Sequence, residues 1–72
     1  MMKHSLSLSA SIYDQERILQ AVDAFKGLAS IRVQLESGYF VCEFTKCKHD
    51  VSITQKEFEN YLIDLMNVRY DT

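Results

Sequence analysis

Two runs of alternating apolar and polar residues face each other across Ser37-Gly38. Ser30 to Glu36 sets Ile31, Val33 and Leu35 against Arg32, Gln34 and Glu36, and Tyr39 to Lys46 sets Phe40, Cys42 and Phe44 against Val41, Glu43 and Thr45. Period two is the signature of a strand with one buried and one wet face. A two-residue connection ending in Gly closes such a pair as a tight hairpin. This hairpin constrains everything else, because the remaining chain must cover its apolar face.

Ser5 to Ala10 has the same period, with Leu6, Leu8 and Ala10 on one side and Ser5, Ser7 and Ser9 on the other, and reads as a third strand. Tyr13-Asp14 then opens a helix over about residues 15 to 26. Asp14 is the expected N-cap, Tyr13 and Ile18 stand at the positions of a hydrophobic staple, and Ile18, Ala21, Val22 and Phe25 follow helical spacing. Gly27 is placed for a left-handed C-terminal cap. After the hairpin, Thr54-x-x-Glu57 has the form of a capping box with Ile53 and Phe58 as its staple, which predicts a second helix from Gln55 to about Tyr70. Phe58, Tyr61, Leu62, Leu65 and Val68 form its apolar face and Lys56, Asn60, Asp64 and Asn67 its polar face.

The order β-α-β-β-α predicts an α+β fold, a two-layer sandwich with a three-stranded sheet and both helices on one face. A right-handed crossover places the first helix over the leucines, and the second can share that face. Strand orders 1-3-2 and 1-2-3 bury the same residues, so both stay open. Either leaves Ser5, Ser7, Ser9, Arg32, Gln34, Tyr39, Val41 and Glu43 on an uncovered face, polar but flat enough to pair with another sheet.

With 72 residues there is room for one core, so residues 1–72 are read as a single domain. Domains this small often lean on a metal, a disulfide or a second subunit, which makes a homo-oligomer the expectation. Apolar residues make up 47% and charged residues 25%, a balance that folds rather than stays disordered. The net charge of -2, with Lys and Arg scattered, gives no footprint for a phosphate backbone, so nucleic acid is not an expected ligand. The one locally basic run, Lys46-Cys47-Lys48-His49, is flanked by Glu43 and Asp50 and reads as a solvated loop. The N-terminal residues contain no apolar stretch of signal-peptide or membrane-helix length. A cytoplasmic protein without membrane association is expected, with its two cysteines reduced.

Cys42, Cys47 and His49 are the only residues whose types and spacing suggest chemistry. Thiolate and imidazole suit zinc, and Cys-x4-Cys-x-His is a spacing to weigh. Against it, Cys42 falls on the inward face with Phe40 and Phe44, where a cysteine acts as a small hydrophobe, while Cys47 lies at or beyond the strand end. A nucleophilic Cys47 with His49 as base would lack an orienting third residue and an oxyanion donor. Acidic residues sit at helix starts and on polar faces, where they cap and solvate. Gly27 and Gly38 are the only glycines, so no phosphate-binding glycine loop exists. No catalytic residue, metal site or cofactor is expected, and a small metal-binding protein using Cys42, Cys47 and His49 is the alternative.

The second helix carries more apolar surface than one sheet needs. Ile63, Met66 and Tyr70 lie about 40 to 100° outside its main apolar face. Arg69 projects from that face in the last turn, where it can snorkel or reach a carboxylate. Ile63, Met66, Arg69 and Tyr70 therefore form the candidate docking stripe for a protein or peptide partner.

The element order, the Ile12-Tyr13-Asp14 opening of a helix centred on Ala21-Val22-Asp23-Ala24-Phe25, and the closing Phe58-x-Asn60-Tyr61-Leu62-Ile63-Asp64-x-x-x-x-Arg69 carry a likeness to a known family. Over nearly its full length the chain resembles the small HxsD-type protein of the His-Xaa-Ser radical SAM maturation system. Its tail departs from the family's tighter Leu-Arg-Glu, since Val68-Arg69-Tyr70 lacks the Glu. The resemblance implies a non-catalytic accessory protein working beside radical SAM enzymes that modify a His-Xaa-Ser repeat peptide. The iron-sulfur chemistry would belong to those enzymes, and the two cysteines here do not match a Cys-x3-Cys-x2-Cys cluster motif.

Overall fold

The computed structural model describes residues 4–67. Its elements follow in the order β1 (Ser5–Ser9), α1 (Gln15–Ala24), β2 (Ser30–Glu36), β3 (Tyr39–Thr45) and α2 (Val51–Asn67). The fold is a small α+β sandwich. Its sheet has the order β1-β3-β2, with β3 antiparallel to both neighbours. The crossover helix accounts for this choice between the two open orders. A helix is about 10 Å across, which spans two strand spacings of about 4.8 Å and leaves a one-strand gap between β1 and β2. The hairpin return fills it.

Register places apolar residues in rows across the sheet, Leu8–Phe40–Leu35 and Leu6–Cys42–Val33. Leu8, Phe40, Cys42 and Phe44 from this face are buried with Ile18, Ala21 and Phe25 of the first helical segment and Phe58 and Leu62 of α2. All these sheet residues share one face, so both helices lie on it. The opposite face carries the rows Ser5–Glu43–Arg32 and Ser7–Val41–Gln34.

The turn between β2 and β3 follows its residues. Ser37 has φ 50 and Gly38 has φ 82, the doubly left-handed backbone that matches the twist of a two-residue hairpin. At the other end of β3, Lys46 also takes a left-handed φ of 53, which ends the strand one residue short of the expected Lys46.

Three details of the helices differ from the sequence pattern. First, α1 ends at Ala24, with Phe25 as its C-cap, and Gly27 is not among the residues with positive φ. Tight turn bonds close the helix instead, the Leu28 and Ala29 N–H groups both donating to the Phe25 carbonyl at 2.8 and 3.0 Å. Second, Asp14 has the extended backbone of an N-cap, but its carboxylate makes no capping bond. Third, Thr54-x-x-Glu57 is not a capping box. Helix α2 starts at Val51, four residues before Gln55, and the Ile53 N–H donates to Asp50 Oδ2 at 3.2 Å, making Asp50 the cap. Thr54 is buried in the first turn, where its hydroxyl donates to the Asp50 carbonyl at 3.0 Å. An early start is favoured because Val51, Thr54 and Phe58 then share the core-facing side of one helix.

Candidate functional site

Cys42 sits in the central strand between Leu6 and Val33 and is fully buried. Burial penalises the thiolate and pushes this thiol up to about 11, so at neutral pH it stays protonated, a poor nucleophile and a poor metal ligand. Beyond the left-handed turn at Lys46, Cys47 is partly buried and packs against the core rather than standing free in a loop. The loop is tied down where the Lys48 N–H donates to the Leu28 carbonyl at 2.9 Å. His49 is exposed. Among the described residues no group of three or more His, Cys, Asp or Glu is placed to hold a metal ion, so Cys42, Cys47 and His49 are not brought together as ligands.

The docking stripe read from the second helix divides in the structure. Ile63 is 40% exposed and points away from the core, whereas Met66 is partly buried and packs against it. Arg69 and Tyr70, like Val68 of the apolar face, lie outside the described residues. The core-facing side of α2 is carried by Thr54, Phe58 and Leu62, with Val51, Leu65 and Met66 at its margins. Tyr61, read as part of the apolar face, is instead 39% exposed and leans toward α1.

That lean shapes a groove which the pattern of neither helix reveals alone. Tyr61 meets Phe25 edge to face, with ring centroids 5.7 Å apart and planes at 64°. A groove of about 500 Å³ runs along α1 beside it, lined by Leu19, Ala24, Tyr61 and Leu65 together with Gln20 and the carboxylates Glu16 and Asp23. Leu19 is 48% exposed although it is a large aliphatic residue. Its position lies off the Ile18–Ala21–Phe25 stripe, so α1 turns one leucine outward where α2 turns one tyrosine. Asp23 pairs with Lys26 at 3.4 Å and Glu16 stands 4.0 Å from Arg17, both exposed pairs of a kind that contributes little. The carboxylates thus remain available to a cationic partner at small cost. The signal in the sequence was Leu19 itself, an apolar residue on the wrong side of an amphipathic helix.

On the uncovered sheet face a second, smaller depression of about 380 Å³ is lined by Ser30, Ile31, Arg32, Glu43 and Thr45. No helix among the described residues is long and apolar enough to cross a membrane. No protein-family model, curated protein or solved structure matches the chain.

Proposed function

We propose that this chain is a protein- or peptide-binding module that performs no chemistry by itself, and that its receptor surface is the groove between α1 and α2. The supporting observation is the composition of that groove, an apolar floor of Leu19, Ala24, Tyr61 and Leu65 with Glu16 and Asp23 at its margin. Apolar side chains left half in water gain by being covered, and a rigid aromatic ring is an economical anchor. Carboxylates at the margin select the sign of the partner's charge more than they add affinity. The chemistry that matches is an amphipathic segment with apolar residues on one side and Lys or Arg beside them, laid along α1.

The resemblance to HxsD-type proteins supplies a class of partner, a radical SAM enzyme or its His-Xaa-Ser peptide substrate, for an accessory role in peptide maturation. Ile63, on the far flank of α2 about 200° around the helix from Tyr61, belongs to a separate surface. The Ile63, Met66, Arg69, Tyr70 stripe is the second docking surface to test.

The experiment is an amide-resolved NMR titration of the labelled protein with a Lys/Leu amphipathic helical peptide and with its Glu/Leu counterpart. Saturable shifts clustered at Leu19, Gln20, Ala24 and Tyr61 with the basic peptide alone are expected. Shifts of equal size with the acidic peptide, or none at the groove, would overturn the assignment.

A further inference from the structure

The order β1-β3-β2 leaves β2 along an edge of the sheet. This edge carries neither the bulge nor the proline that often keeps an edge strand from pairing with other chains. It runs unbulged from Ser30 to Glu36 against β3 and contains no proline. The opposite edge, β1, is shorter and alternates serines. The hairpin closes with Glu36 opposite Tyr39, so Glu36, Gln34 and Arg32 direct their backbone groups toward β3. By the same alternation the N–H and C=O groups of Leu35, Val33 and Ile31 point outward from the edge. Leu35 is anomalous as well. It belongs to the core face, in the row of Leu8 and Phe40, yet it is 63% exposed.

We propose that β2 pairs antiparallel with β2 of a second copy about a two-fold axis through Gln34, giving a six-stranded sheet with all four helices on one side. An axis perpendicular to the sheet keeps both core faces together, and it permits only registers in which paired residues share a face. Centring on Arg32 would set arginine against arginine, and centring on Val33 would set Arg32 against Gln34. Centring on Gln34 places Arg32 opposite Glu36 of the second copy, twice by symmetry, and Gln34 opposite its own equivalent. On the core face it places Val33 opposite Leu35 of the second copy, again twice, and so covers the leucine the fold leaves in water. Opposite charges directly across a ladder attract and like charges repel, so this register is the one the sequence selects. Arg32 already has Glu43 across from it in β3, and its planar fork of donors can serve a carboxylate on each side. Glu36 has Tyr39 there and enters no ion pair among the described residues.

This contact uses the sheet edge and is independent of the groove between the helices. Sedimentation of the full chain over a concentration series tests it, with the variants E36R and R32E. The wild type is expected to sediment as a dimer at high micromolar concentration. Each variant, now with like charges facing, is expected to need a roughly tenfold or more higher concentration to dimerise. E36R should leave the melting curve of the monomer unchanged, whereas R32E also sets a carboxylate opposite Glu43 within one copy and should lower it. An equimolar mixture of E36R and R32E brings opposite charges face to face again and should regain the dimer as a one-to-one heterodimer. A wild type that is monomeric up to millimolar concentration overturns the proposal. So does a dimer that E36R leaves intact, or a mixture no tighter than the separate variants.

Discussion

Phe25 and Phe58 meet edge to face, their ring centroids 5.4 Å apart and their planes at 81°. Phe58 in turn stands edge-on to Phe44 at 5.3 Å, so one ring of α2 joins the end of α1 to the central strand. Edge-to-face pairs add about 0.5–1.5 kcal/mol beyond the area they bury. Phe58 is therefore the residue on which the two layers depend most.

Phe58→Ala is expected to cost about 3–5 kcal/mol, a large share of what a domain of this size possesses. Urea unfolding followed by circular dichroism would show the variant unfolded or nearly so without denaturant. A midpoint within experimental error of the wild type would contradict the packing described.

Asp50 and Glu57 give opposite expectations on the same helix. Asp50→Ala removes the carboxylate that accepts from the Ile53 N–H and should cost about 1 kcal/mol. Glu57→Ala should change stability by less than about 0.5 kcal/mol, because Glu57 is exposed and caps nothing. Thermal melts of the two variants distinguish this arrangement from a capping box, which would make Glu57 matter.

The two cysteines are expected to react differently. In the folded protein a thiol reagent should modify Cys47 readily and leave Cys42 untouched, both reacting once denaturant is added. Stability should also fall in alkali. The folded-state thiol of Cys42 is raised from 9.0 to about 11, so between those values the unfolded chain releases a proton the folded chain retains. The contribution is full below pH 9.0, declines as pH rises and is lost by about 11. Its size is about 2–3 kcal/mol. Melting temperatures across this range for wild type and Cys42→Ala check it, the variant showing the shallower decline.

Ser37 occupies a left-handed backbone conformation that a non-glycine residue adopts at a cost, and Asn tolerates it better. Ser37→Asn should raise stability by a few tenths of a kcal/mol, whereas Gly38→Ala, at φ 82, should lower it by about 1 kcal/mol. Denaturant midpoints of both variants, moving in opposite directions, would confirm the turn type.

The hairpin was legible because alternation and a glycine-containing two-residue turn both act within a few residues. The start of α2 was not. Thr54-x-x-Glu57 has the residue types of a capping box, yet Asp50 offers an equal cap, and only packing of Val51 and Thr54 against the core decides between them. Gly27 shows a related limit, since the turn bonds to the Phe25 carbonyl close α1 without a left-handed residue. Strand order depended on how a crossover helix spans the sheet. Ile63 is exposed on α2, while the groove is not legible in the sequence because Leu19 and Tyr61 are 42 residues apart and line one surface only after both helices dock.

Binding of a protein in the groove between α1 and α2 is the function proposed for this chain. Quantitative affinity capture from the native cells, with wild type, Leu19→Lys and Ile63→Lys as bait, tests it most directly. Leu19 and Ile63 are exposed, so neither change should disturb the fold by more than about 0.5 kcal/mol. One protein is expected in stoichiometric amount with the wild type and with Ile63→Lys, and depleted on the order of tenfold or more with Leu19→Lys. Equal recovery with Leu19→Lys, or loss with Ile63→Lys alone, would contradict it.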